Sequence, residues 1–147
     1  MPNFELLRVA AAIIDGIPSR VFDLDMIADQ DGVSMDNAEP LKAKRCGTVA
    51  CAMGWISMHP TFNALGLEVT ALSAYNGRVL MHGLLMSYAR AAERLFEISQ
   101  DDADNLFISH GESDYDDRRS TSTSKELFKS RVRQFLAEHD QPINPKF

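Results

Sequence analysis

The sequence predicts a mainly α fold of the α+β class: a compact bundle of about five to six helices with one small β-hairpin. Three observations carry this. Apolar residues recur at intervals of three and four in several separate segments. Gly, Pro and polar clusters punctuate those segments. One Asn-Gly pair, Asn76-Gly77, sits among strand-forming residues and is the favoured pair for a two-residue hairpin turn.

The elements follow in order. Residues 3–15 place Leu6, Val9, Ala10 and Ile13 at helical spacing, with Leu7 and Ile14 widening the stripe. Gly16 and Pro18 end that helix. Ser19 is a candidate cap for a short second helix facing Val21, Leu24 and Ile27 inward. "DQDGVSMDNAEPLKAKR" is polar, holds Gly32 and Pro40, and reads as a connecting loop. "RCGTVACAMGWISMHP" reads as a helix with Thr48 as N-cap and Cys51 at its third position, stopping before Pro60. In "LEVTALSAYNGRVLMHG" the hairpin strands would hold Val69, Thr70 and Tyr75 on one side and Val79 on the other. A helix over residues 68–75 is the alternative. "LLMSYARAAERLFEI" is a helix with Leu84, Leu85, Tyr88, Ala92, Leu95 and Phe96 on its apolar face. In "SQDDADNLFISHG" Ser99 is the N-cap, and Asp101, Asp102 and Asp104 suit the positive end of the helix dipole. A polar loop follows. Thr123 and Glu126 form a capping box opening a last helix to about His139, which buries Phe128, Val132, Phe135 and Leu136. One domain over residues 1–140, with an extended tail at 141–147, accounts for the whole chain of 147 residues.

The net charge of −6 is unevenly spread. Residues 1–41 hold eight acidic and two basic side chains, whereas the remainder holds thirteen of each sign. A chain this poor in clustered cations is not built for nonspecific nucleic-acid binding. No run of about 18 apolar residues is present, so no membrane-spanning helix is expected. The N-terminal stretch has Glu5 and Arg8 inside its apolar part and lacks a basic leader, so a cytoplasmic location is expected. Cys46 and Cys51 are then expected to be free thiols.

The order of "CGTVACAMGW" and "AAERLFEISQDDADNLF" resembles a group of small proteins encoded by bacteriophages and bacterial genomes. The matching positions are Cys46, Gly47, Thr48, Cys51, Gly54 and Trp55, then Ala91, Ala92, Leu95, Phe96, Ile98, Ser99, Ala103, Leu106 and Phe107. Glu97 departs from the pattern, which places glycine between the two helices. The resemblance implies phage or prophage ancestry, in a bacterial host cell, and no particular chemistry.

No catalytic residue is assigned, and Cys51 and Cys46 are the candidates. A thiol near a helix N-terminus with Lys42, Lys44 and Arg45 close in sequence suits a lowered pKa and a thiol-dependent or redox enzyme. The competing reading is packing: Gly47, Cys51, Gly54 and Trp55 share one side of a helix, where small side chains admit a close neighbour. Zinc on Cys46, Cys51 and His59, with His82 or His110, has no recognised ligand spacing. An EF-hand loop aligned on Asp31-Gly32 lacks its first and twelfth ligands, so no metal and no cofactor is assigned. Lys125, Lys129, Arg131 and Arg133 make the last helix a candidate for the contact face of a nucleic-acid-binding regulator. The leading reading is a noncatalytic interaction protein, an inhibitor or regulator. It would meet an unidentified protein partner with a basic surface through Asp23, Asp25, Asp29, Asp31, Asp36 and Glu39.

Overall fold

The computed structural model describes residues 1–42, 48–109, 111–116 and 123–142. These form seven α-helices and two small antiparallel sheets, an α+β arrangement.

Helix α1 (Phe4–Asp15) is capped by the Asn3 side chain, which accepts from the Leu6 N–H. Leu7, Ala10, Ala11 and Ile14 are its buried stripe. A single turn of 3-10 helix (Ser19–Val21) follows, and Pro18 rather than Ser19 precedes it as the cap residue. Strand β1 (Ala28–Gln30) pairs with β2 (Thr48–Ala50), with Asp29 opposite Val49. The expected loop therefore begins two residues later than its sequence indicates, because Asp29 and Gln30 join a ladder. Gln30 closes the base of the loop, donating to the Lys42 carbonyl at 2.8 Å and to Thr48 Oγ1 at 2.9 Å.

The helix expected from Thr48 starts later, as α2 (Ala52–Ser57). Thr48 and Val49 are β-branched and pair with β1, and the following Ala50 pairs with β1 on one side and bridges Phe22 on the other. Cys51, not Thr48, is the N-cap, its sulfur accepting from the Gly54 N–H at 3.5 Å. Helix α3 (Pro60–Asn63) is capped by His59, and β3 (Leu67–Glu68) follows it.

The Asn76-Gly77 hairpin is not formed. A reciprocal capping box between Thr70 and Ser73 starts helix α4 (Ala71–Tyr75). Asn76 then ends it and Gly77 takes a left-handed φ of 73°, the usual glycine stop. The hairpin lies further on, between β4 (Arg78–Met81) and β5 (Leu84–Ser87). Its turn is His82-Gly83, with φ of 51° and 79°, positive at both positions as a type I′ turn requires. Strand β3 pairs with β4 across α4, giving the order β3-β4-β5. Leu84 and Leu85, expected on a helix face, are strand residues 63% and 54% exposed.

Helix α5 (Tyr88–Phe96), capped by Ser87, turns sharply into α6 (Gln100–Phe107), capped by Ser99. Glu97 makes that corner with φ 54°. Helix α7 (Ser124–Glu138) is capped by Thr123. A chain of rings crosses the centre: Phe62 to Phe96 at 6.2 Å, Phe96 to Phe107 at 5.6 Å, Phe107 to Phe128 at 5.7 Å and Phe128 to Phe22 at 6.1 Å. It joins α3, α5, α6, α7 and the approach to β1 in one core that also takes in the buried stripe of α1. The start of the tail is tied down, since Arg8 donates to Gln141 and to the Pro142 carbonyl. Residues 143–147 lie outside the described residues. Among the described residues no helix is long and apolar enough to cross a membrane.

Candidate functional site

The acidic segment is held against the body at both ends. At its start, the Asp23 N–H donates to the Ala50 carbonyl, and Asp23 Oδ1 accepts from the Asp25 N–H at 2.9 Å. At its end, the Leu41 N–H donates to the Val69 carbonyl and Pro40 bridges Thr70. Between them the Leu72 N–H donates to the Asn37 carbonyl, and Asp36 accepts from Ser34 Oγ. Asp25, Asp29, Asp31, Asp36 and Glu39 are exposed, and Asp23 is half-buried.

This pinning leaves a cleft of about 450 Å³ between the acidic segment and α4. Leu24, Ile27, Ala28, Val33, Leu41, Ala71 and Ala74 give it an apolar floor, with Cys51, Tyr88 and Ser109 completing its walls. Asp25 and Asp29 are the two carboxylates of the six that line it. Met26, Met35 and Tyr75 stand at its margin, 38%, 62% and 66% exposed. No Lys, Arg or His lies among the described lining residues. Its size falls in the range of ordinary binding clefts. Sequence reasoning named Asp25 and Asp29 but missed Tyr75, Tyr88, Met26 and Met35. The signal for Tyr75 was hidden by its assignment to a strand.

Cys51 is 2% exposed, and burial pushes its thiol from an ordinary 9.0 up to about 11 against smaller lowering contributions from backbone hydrogen bonds. At neutral pH it is a neutral thiol, not the activated thiolate a nucleophile needs. The helix terminus does not lower its pKa overall because burial outweighs it. Of the cations expected to help, Lys42 is not among the causes; Lys44 and Arg45 lie outside the described residues, as does Cys46. Tyr88 is also raised, chiefly by burial and next by Cys51. The close-packing reading of Gly54 has a direct geometric basis: a Cβ there would meet the Ile27 carbonyl oxygen at 1.6 Å and the Ala50 Cβ at 2.9 Å. Trp55 fills the adjoining space and donates from its indole to the Val21 carbonyl at 3.0 Å.

Of the other histidines, His59 Nδ1 accepts from the Thr61 N–H as a cap and His82 makes the hairpin turn; His110 lies outside the described residues. Among the described residues no group of three His, Cys, Asp or Glu side chains gathers as a metal site would require.

The basic face expected on α7 is largely committed elsewhere. Lys125 donates to the Asp15 carbonyl, and Lys129 pairs with Asp15 at 3.0 Å. Arg131 is fully buried. It grips Asp116 through Nε at 2.9 Å and Nη2 at 2.6 Å, and donates to the Ile108 and Ser109 carbonyls. Its position among the exposed cations is thereby corrected: it faces inward because α7 buries Leu127, Phe128, Val132 and Phe135 on a broad surface that includes it. By holding Ser109, Arg131 also supports one wall of the cleft.

Comparison with models of protein families, with curated proteins and with solved structures finds no match to this chain.

Proposed function

We propose that this is a noncatalytic binding protein, of the bacteriophage or prophage kind its two motifs resemble. It acts on a macromolecular partner as an inhibitor or regulator. The contact surface is the acidic edge formed by Asp23, Asp25, Asp29, Asp31, Asp36 and Glu39. The observation that supports this most is the joining of two features in one place: a row of exposed carboxylates and a cleft with an apolar floor. An acidic edge attracts and orients a basic surface at long range, while apolar contact supplies the short-range free energy. The buried, neutral Cys51 gives thiol chemistry no support.

The test is partner capture from bacterial lysate on the immobilised protein, read by mass spectrometry. The triple variant Asp25→Asn, Asp29→Asn, Asp31→Asn should lose the proteins that the native chain retains. Retention of the same proteins in the same amounts by the triple variant would remove the acidic edge from the function.

A further inference from the structure

We infer that a second hollow, where the β4–β5 turn meets α1 and α5, binds a small amphiphilic anion: an alkyl chain ending in one carboxylate. The site is separate from the acidic edge, and it stands or falls independently of the role proposed for that edge.

The hollow holds about 350 Å³, at the small-molecule end of binding-site sizes. Leu6, Leu65, Met81, Leu84 and Leu95 form its apolar surface. Leu65 and Leu84 are 42% and 63% exposed, so they leave apolar area in water that an alkyl chain would cover. The polar lining is Asn3, His82 and Arg94, and the described lining carries no carboxylate. Each of the three can donate to an anion. Asn3 Oδ1 accepts from the Leu6 N–H, which leaves the amide nitrogen as the free end of that side chain. His82 is fixed in the turn. Its backbone N–H donates to the Gly66 carbonyl at 2.8 Å, and its ring lies where a Cβ on Gly66 would collide with Nδ1. Among the described residues no carboxylate or carbonyl takes the Arg94 guanidinium. A planar carboxylate matches that guanidinium, whereas a cationic amphiphile would meet like charge with nothing in the described lining to offset it. The apolar surface decides the rest of the molecule. A peptide laid on it would leave backbone N–H and C=O groups against Leu and Met side chains, which offer them no partner. An alkyl chain has no such groups to satisfy.

The probe is sodium octanoate, titrated into the full chain with its Leu and Met methyl groups labelled for carbon–proton correlation spectra. Methyl signals of Leu6, Leu65, Met81, Leu84 and Leu95 should move together along one saturating curve. Those of Leu24, Met26 and Leu41, which line the first cleft, should stay still. Hexanoate, two methylenes shorter, should bind about tenfold more weakly. Octylammonium, with the same chain and the opposite charge, should bind at least about tenfold more weakly than octanoate. Arg94→Gln should weaken octanoate about fivefold and leave uncharged octan-1-ol unchanged, a difference that a merely structural role would not produce. Leu84→Glu, at an exposed position of β5, should abolish octanoate binding by setting a carboxylate in the hollow. Arg94 is exposed too, and thermal melts verify that both variants fold.

Equal binding of octanoate and octylammonium would show a merely apolar hollow and overturn the inference. So would unchanged octanoate affinity in both Arg94→Gln and Leu84→Glu, or the absence of any saturating shift with octanoate. Shifts spread over the first cleft and the core, with a falling Tm, would show detergent-like loosening of the fold and overturn it as well. A Glu–Leu peptide that moves the same five methyl signals where octanoate does not would give the hollow to a protein partner. Movement of those signals on dilution of the free chain would give it to a second copy. None of these outcomes touches lysate capture through the three aspartates, which tests the acidic edge by itself.

Discussion

At the scale of single residues, Cys51 and Gly54 show how one helix start serves packing. Cys51 caps α2 with sulfur and is only 2% exposed, so its thiolate is disfavoured. On a Cys46→Ser background, alkylation by iodoacetamide at pH 7–8 should be about two orders of magnitude slower than for an exposed cysteine, and should reach the exposed rate only on unfolding. The same displacement has a sign for stability. The folded thiol holds its proton up to about 11 while the unfolded one releases it near 9.0, so the folded state binds more protons between those values. Stability therefore falls as pH rises through that window, by an amount on the order of 3 kcal/mol once both forms are ionised. Denaturant melts of the native chain and of Cys51→Ser from pH 8 to 11 should diverge with that sign; parallel curves would contradict it. Gly54 has no room for a methyl group because the obstacle is backbone, with the Ile27 carbonyl oxygen 1.6 Å from where a Cβ would lie. Gly54→Ala should cost about 3 kcal/mol or more, seen as a fall in Tm of roughly 10 °C or as insoluble protein.

At the scale of elements, the long helices were legible because periodicity, caps and breakers agree. Ser99 and Thr123 cap the helices their positions foretell, and Asn3, read as the first residue of its helix, is instead that helix's cap. The short elements were not legible. Asn76-Gly77 has the chemistry of a hairpin turn and of a helix stop alike, and the Thr70–Ser73 capping box upstream decided between them. The segment from Leu84 to Ser87 merges with the apolar pattern of α5, so only its pairing with β4 separates strand from helix. Glu97 links this lesson to a measurement. The helix-to-helix corner needs a left-handed residue, the place where the resembled pattern has glycine, and Glu97 occupies it at φ 54°. Left-handed backbone costs a side-chain-bearing residue about 1–2 kcal/mol, against about 0.5–1 kcal/mol for glycine's extra entropy when unfolded. Glu97→Gly should raise stability by about 0.5–1 kcal/mol in urea melts, and a loss would mean the exposed glutamate makes a compensating contact. In α7, Arg131 looks like its exposed neighbours in sequence, since no local signal reports that its partner Asp116 is 15 residues away. Arg131→Met leaves that buried carboxylate without its guanidinium, so denaturant melts should show a loss of about 3–5 kcal/mol. Adding Asp116→Asn should recover part of it, and a double variant no better than the single one would show that the carbonyl contacts dominate.

At the scale of the whole molecule, the acidic side chains of the candidate site were legible and its shape was not. A run of residues without Lys or Arg is visible in the sequence, but a cleft exists only once α4 is laid beside β1, and that packing joins residues far apart in the chain. Charge asymmetry has a consequence that needs no partner. Asp29 and Asp31 lie on and beside an extended strand two residues apart, a separation of about 7 Å, shorter than the screening length of about 10 Å at 0.1 M salt. Both are exposed, and the surrounding segment supplies carboxylates and no Lys or Arg from residue 22 to residue 41. Their mutual repulsion is present in the folded chain at a fixed distance and is diluted in the unfolded one. Asp29→Asn with Asp31→Asn should therefore raise Tm by about 1–2 °C at low ionic strength. The gain should shrink towards zero in concentrated salt, because screening removes the same repulsion from the native protein. Calorimetry of both proteins at low and high salt measures it. A Tm that falls in the variant at low salt would mean these two carboxylates stabilise the fold, and their place on the acidic edge would then have a structural explanation in place of a functional one. A rise that vanishes with salt leaves them as charges held on the acidic edge against the stability of the fold, as a binding edge requires.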